Sequence, residues 1–205
     1  AYLMRWQDRQ LEESGLGAWW IRGHFNGEGA DSKGVELNLS ARLSRGLQLD
    51  LDASAGSSEL TSDTTYPDVD EPVMPKGTIT PYAPRLKYSA GLEYTAGSWQ
   101  PFGGELWMRF DYSYQSPMYN SLPTSNIYSY RRIPAWDFGT VELGLRMPSA
   151  LELTLRVDNL WNERGVSSLN EDGEEADLFH DPRFHGTRSL FRPRNIGISI
   201  RKSFN

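Results

Sequence analysis

No cysteine occurs in the 205 residues, which removes disulfides and thiolate metal sites from consideration. No run of 18 or more apolar residues occurs either, so the chain holds no helical membrane span. A basic excess is also missing. The net charge is −6 and the isoelectric point is about 5.1, so no positive stripe is available to neutralise phosphates, and nucleic acid is excluded as a partner. The first residues do not pair a basic stretch with an apolar one and a small-residue cleavage site, so no export signal is read within the chain. An envelope protein needs one, and the expectation is then a mature or truncated chain. Finally, no serine, histidine and carboxylate set stands out, and no glycine-rich loop leads from a strand into a helix, so catalysis finds no support.

What is present is alternation. The last stretch, RPRNIGISIRKSFN, puts Ile196, Ile198, Ile200 and Phe204 on one face and Asn195, Gly197, Ser199, Arg201 and Ser203 on the other. About nine such segments follow one another, with no convincing helix between them. Ala1 to about Glu13 sets Tyr2, Met4 and Trp6 against Arg5, Gln7 and Arg9. Gly17 to Asn26 forms a second segment, NGEGADSKG is a glycine-rich connection, and Val35, Leu37, Leu39, Ala41 and Leu43 restart the apolar face. After the turn Ser44-Arg45-Gly46, the segments are Leu47 to about Gly56, Arg85 to Gly97, Glu105 to about Tyr119, Trp136 to Met147, Leu151 to about Trp161, and the closing stretch. The intervals 61–84, 120–134 and 162–191 are irregular, and the first holds five prolines, which no regular sheet accommodates.

From Ser44 onward, short turns alternate with long polar loops, so the long loops gather at one end of an antiparallel up-and-down meander. After the first segment, Lys202 is the one charge expected on the apolar face. The low mean hydropathy, −0.57, does not oppose a membrane barrel, because only alternate residues of such strands meet lipid. A soluble β-sandwich also alternates and would bury its apolar face against a second sheet. Three features favour the barrel. The strands run to about 10–14 residues, Phe25, Tyr112, Tyr114, Trp161 and Phe204 stand near strand ends, and the connections are sequential hairpins rather than Greek-key crossovers.

Three regions carry a resemblance: NGEGADSKGVELNLSARLSRGLQLDLDASAG (26–56), LTLRVDNLWNERG (153–165), and DPRF followed by RPRNIGISIRKSF (181–204). Their order and spacing resemble the C-terminal half of a TonB-dependent outer-membrane receptor, the likeness spanning essentially the whole chain. The resemblance implies an all-β fold in which residues 1–205 supply about nine strands of a 22-stranded transmembrane barrel, the plug and early strands lying elsewhere. It implies import of a ferric siderophore or a similar scarce nutrient. The implied partners are the remaining strands and N-terminal plug of the same receptor, the TonB complex through that plug, outer-membrane lipid and lipopolysaccharide, and a small-molecule ligand. No cofactor is implied, an iron chelate being cargo. Gly197, Ile200 and Phe204 mark the barrel-closing strand. Lys202 stands where family members often carry an aromatic, and its stem can snorkel to the inner interface.

On the polar face, Arg22, Arg42, Lys87, Arg109, Arg146, Arg156 and Arg201 interleave with Glu36, Asp50, Asp52, Glu93, Asp111, Glu142 and Glu152. These line a hydrated lumen that grips a plug, or else the solvated face of a soluble sheet. In the outer loops Tyr119, Tyr128, Tyr130, Arg131 and Arg132 combine cations with phenols, a set suited to an anionic, often aromatic chelate, with His180 and His185 as further candidates. Equally, these residues cap the barrel and meet lipopolysaccharide or water. The stretch His180-Asp181-Pro182-Arg183-Phe184-His185 invites a metal reading that nothing fixes in geometry, and no metal site is assigned. Two other classes remain open: a soluble β-rich binding module for a carbohydrate or protein, and an outer-membrane lipid hydrolase, which would need a nucleophile.

Overall fold

The computed structural model describes residues 1–7, 9–16, 21–27, 29–64, 74–97, 99–120, 131–170 and 187–204; of 9–16, 21–27, 170 and 187 it describes the backbone. The strands in chain order are β1 (Tyr2–Trp6), β2 (Arg9–Leu16), β3 (Ile21–Gly27), β4 (Ala30–Arg42), β5 (Leu47–Leu60), β6 (Leu86–Thr95) and β7 (Glu105–Gln115). They continue as β8 (Met118–Tyr119), β9 (Arg132–Ile133), β10 (Trp136–Arg146), β11 (Leu151–Asp158), β12 (Val166–Asn170), β13 (Thr187–Leu190) and β14 (Asn195–Lys202). Eight of them form one antiparallel sheet in the order β1-β4-β5-β6-β7-β10-β11-β14, and β2-β3, β8-β9 and β12-β13 are separate hairpins.

From β4 onward the meander is the expected one; β12 and β13 fall within the interval 162–191 and β9 within 120–134, whereas β2 and β3 take stretches expected to be strands of the wall. Short links at 43–46, 96–104 and 147–150 lie at one end of the sheet; the long links 7–29, 61–85, 116–135 and 159–194 lie at the other. Each short link has its own chemistry. Gly46 packs so closely on Thr95 that a Cβ there would sit 2.2 Å from the Thr95 carbonyl oxygen. Ala150 takes a left-handed φ of 55° to close the turn back onto Met147, whose amide bonds the Leu151 carbonyl at 2.8 Å.

The start of the chain differs from expectation. The first strand stops at Trp6 and pairs directly with β4, whose opening residues Ala30 to Gly34 come from the stretch expected to be a connection. Residues 9–16 and 21–27 fold on each other instead of extending the sheet. The face of β1 is also reversed: Tyr2 and Met4 stand opposite Gly34 and Ser32, on the polar side, while Arg5 stands opposite Asp31 on the other. The physical reason is that β1 meets β4 in rows where both faces are polar, so no apolar stripe dictated the register there.

The apolar face has no second layer over it. Leu37 is 51% exposed and Ile198 78%, whereas a sandwich would bury both, so the sandwich alternative is set aside. The fully buried side chains lie in the loop layer, where Met74, Thr64 and Ile133 are almost inaccessible. Both edges of the eight-stranded sheet, β1 and β14, carry one unpaired side.

The polar wall and its loop end as a candidate functional site

Pairing register lines the polar side chains of successive strands into rows. One row reads Arg42, Gln48, Glu93, Arg109, Glu142, Arg156 and Gly197 across six junctions, alternating in sign from Glu93 to Arg156. Nearer the short turns a second row alternates in the same way: Glu105, Arg146, Glu152, Arg201. Opposite charges directly across a strand pair attract, and here the guanidiniums of Arg109, Arg146 and Arg156 each reach more than one carboxylate. Arg109 contacts Asp111 at 2.7 Å, Glu93 at 3.4 Å and Asp50 at 3.5 Å. The reach to Asp50, two strands away, passes over Gly91, where a Cβ would lie 2.5 Å from the guanidinium. Arg146 bridges Glu105 and Glu152 at 3.2 Å each and lies 4.9 Å from the centre of the Trp107 ring. Arg156 joins Glu142 to Asp158.

Of the polar-face residues expected from the sequence, all those on the eight-stranded sheet share one side. Arg22 is the exception, because β3 lies outside that sheet. Arg42, Lys87 and Arg201 have no ionic partner among the described residues, and neither has Glu36, whereas Asp52 accepts from Asn38. Glu105 and Asp158 belong to the same face and escaped the sequence reading, although their parity places them there. Two hollows open on this side. One, of about 550 Å³, is lined by Glu36, Asn38, Asp52, Lys87, Ser89 and Trp136; the other, of about 400 Å³, by Glu142, Glu152, Thr154, Arg156, Ser199 and Arg201.

Aromatics on the polar side were also missed. Trp136 packs edge-on against Phe191 at 4.9 Å, with Phe138 at 6.0 Å, where the polar wall meets the loops. On the opposite face Tyr88 stacks on Tyr114 at 5.1 Å, and Trp161 packs against Phe110 and Tyr112, an aromatic girdle at the loop end. Lys202 is not the only charge on that face. Asp137 accepts from the Tyr112 hydroxyl at 3.3 Å, and Arg5, Asp31, Lys33 and Glu59 share the side, all in rows next to the long loops. A charge is cheap there and costly only near the bilayer centre. At the other rim the Lys202 ammonium reaches the Ser149 carbonyl, the snorkelling expected of it.

Among the outer-loop candidates, Tyr119 pairs with Arg132 across the β8–β9 hairpin, and the Arg131 amide bonds Asn120 Oδ1 at 2.7 Å. Tyr128, Tyr130, His180 and His185 lie outside the described residues. No cluster of three or more potential metal ligands occurs among the described residues. The DNL motif has a mechanical role: Asn159, buried with φ 55°, donates to the Glu163 and Arg192 carbonyls at 2.8 and 2.9 Å and accepts from the Glu163 amide at 2.7 Å, clamping the base of the last long loop.

The family model described as TonB dependent receptor-like, beta-barrel matches residues 9–160. The chain belongs to this family. It is therefore an outer-membrane protein, and the apolar side of its sheet is the lipid side. Three solved receptors share its fold. The ferric yersiniabactin uptake receptor FyuA from Yersinia pestis superposes with a TM-score of 0.72 at 20% identity, over 99% of this chain and 26% of its own length. The siderophore receptor PiuA from Acinetobacter baumannii gives 0.67 at 12% identity, over 97% of this chain and 24% of its own. The FrpB iron transporter from Neisseria meningitidis, F3-3 variant, gives 0.54 at 13%, over 97% and 27%. The chain thus spans about a quarter of the length of these receptors. No curated protein sequence matches it.

Proposed function

We propose that residues 1–205 are the C-terminal part of the barrel wall of a receptor that imports a ferric siderophore, or a chelate of like chemistry, with energy delivered by the TonB complex through an N-terminal plug. The observation that carries the reading is the two-sidedness of one sheet. An uncovered apolar face backs a wall of ordered ion pairs, and that wall needs a polar filling to be stable in a membrane. A plug supplies such a filling, with Lys87, Arg42, Arg201 and Glu36 left to engage it. The iron and siderophore receptors that share the fold support the choice of cargo, and Tyr119, Arg131 and Arg132 supply a phenol and two cations for an anionic chelate. Arg5 and Lys33 lie on the apolar face in rows beside the long loops, which supports a contact with lipopolysaccharide phosphates as part of this reading.

The test is uptake of radiolabelled iron by iron-starved cells offered a panel of ferric hydroxamate, catecholate and phenolate chelates, with and without the intact gene. The expected result is loss of uptake of one chelate class on deletion, and equal loss in intact cells given a protonophore. Uptake that continues under the protonophore, or that deletion leaves unchanged for every chelate, would overturn the reading.

A further inference from the structure

Three of the long loops meet at one point, and the residue at that point is Tyr82. Its backbone amide donates to the Tyr119 carbonyl at 2.8 Å, in the β8–β9 hairpin, and its hydroxyl donates to the Leu169 carbonyl at 2.7 Å, in β12. Tyr82 does this from a left-handed backbone, φ 53°, which a non-glycine residue holds only against strain. Beside this junction Met118 and Ile133 of the β8–β9 hairpin pack with Leu169 and Val166 of β12, Ile133 being completely buried. The loop that presents Tyr82 is itself anchored to β5: the Leu60 amide donates to the Thr78 carbonyl at 2.9 Å and the Thr80 amide to the Ser58 carbonyl at 3.0 Å, and the same loop buries Met74. The fastening therefore runs from the wall through Tyr82 to two hairpins that are remote from it in sequence.

We propose that Tyr82 is a positioning residue for ligand capture: it fastens the loops after β5, β7 and β11 into one body and so fixes where Tyr119, Arg131 and Arg132 stand. The proposal rests on the receptor reading for the word capture, and on the geometry alone for the fastening. A chelate meeting a preassembled set of groups need not order them, so the benefit falls on affinity and not on the transport step.

The experiment uses the complete receptor carrying Tyr82→Phe, which deletes the donor and keeps the ring, and Ile133→Ala, which opens the apolar junction. Amide hydrogen exchange is followed by mass spectrometry without ligand, and uptake of the same ferric chelate panel is measured against concentration. Tyr82→Phe is expected to raise exchange about fivefold in 78–82, 118–120, 131–133 and 166–169 together, as loss of one hydrogen bond of ordinary net strength would, and Ile133→Ala, which empties a buried site, by about thirtyfold or more in the same segments, while 86–95 and 105–115 stay protected. The half-saturating chelate concentration is expected to rise at an unchanged maximal rate. Faster exchange confined to 78–82, no change in any loop, or joint loosening with an unaltered half-saturation would each overturn the proposal. If the unaltered receptor takes up no chelate, the receptor reading fails, and the exchange pattern still decides the fastening.

Discussion

At the scale of single residues, glycine decides where the large side chains of the wall lie. The Trp107 indole covers Gly144, where a Cβ would meet it at 2.2 Å; Trp161 covers Gly139 on the lipid side; the Tyr2 hydroxyl sits over Gly34 and Gly56. Each is a flat side chain resting on bare backbone, so adding one methyl evicts the ring. Gly144→Ala is expected to destabilise the barrel by about 1–3 kcal/mol, the usual cost of overpacking, read as a lowered urea midpoint in lipid vesicles. Gly197→Ala serves as the control: no atom comes within 4 Å of a Cβ there, and a change below about 0.5 kcal/mol is expected. Tyr82 carries a pH signature. Burial raises its hydroxyl above the ordinary value of 10.0. The neutral phenol is the donor to Leu169, so its contribution is complete below about pH 10 and is lost as the pH climbs through the raised value. A difference spectrum of the unaltered protein against Tyr82→Phe during alkaline titration should show that tyrosine ionising late. Ionisation at the ordinary value would contradict the desolvation of that hydroxyl, the residue as a whole being 46% exposed.

For elements, the two faces of each strand set opposite tolerances. Leu155 and Thr154 are neighbours on β11, yet one stands opposite Ile198 on the lipid side and the other opposite Ser199 on the polar side. Leu155→Arg is therefore expected to cost about 2–4 kcal/mol near the bilayer centre, while Thr154→Arg, on the polar side, costs less than about 1 kcal/mol. Folding yields into vesicles at graded urea would separate them, and equal costs would refute the assignment of faces. The strands of this sheet from Val35 onward were legible in the sequence because a strict period of two survives wherever one side meets lipid. The stretch before Val35 was not. There Ser32, Lys33 and Asp31 are polar on both sides, the pattern carries no preference between faces, and hydrogen bonding between β1 and β4 decided the register. Asn159 shows the opposite case, a motif recognisable in sequence whose purpose only geometry explains. Asn159→Ala is expected to lose roughly 3 kcal/mol through three hydrogen bonds and a left-handed backbone, with thermal melting of the full receptor as the measurement.

The molecule as a whole is a bilayer-high sheet with a wet side, a lipid side and two open edges. Such edges template further pairing, and an uncovered apolar face seeks a partner. Residues 1–205 alone are thus expected to require detergent and to self-associate. The full receptor is expected to run as a compact, heat-modifiable species on a denaturing gel. A monodisperse, detergent-free 205-residue chain would contradict the lipid assignment of the apolar face. The ion rows do not hold this sheet together. Half-exposed pairs such as Arg146 with Glu105 contribute only ~0.2–1 kcal/mol each, and the continuous backbone ladder carries the structure. What the rows do is hold charge in fixed, mutually neutralising positions, and Lys87, Arg42, Arg201 and Glu36 stay outside them with no ionic partner among the described residues.

By itself the sequence determined the class, the direction of the meander, the end at which the long loops gather and the face presented by most wall residues from Val35 onward, the charges of Asp137 and Glu59 on the apolar side being exceptions. All of these follow from nearest-neighbour alternation and from the lengths between turns, which are local properties of a chain. Only the tertiary structure decided which carboxylates each arginine reaches, which rings rest on which glycines, that residues 9–16 and 21–27 leave the sheet, and that three loops far apart in sequence converge on Tyr82. Those depend on register between strands and on packing between distant segments, and no local pattern encodes the meeting of residues 82 and 169.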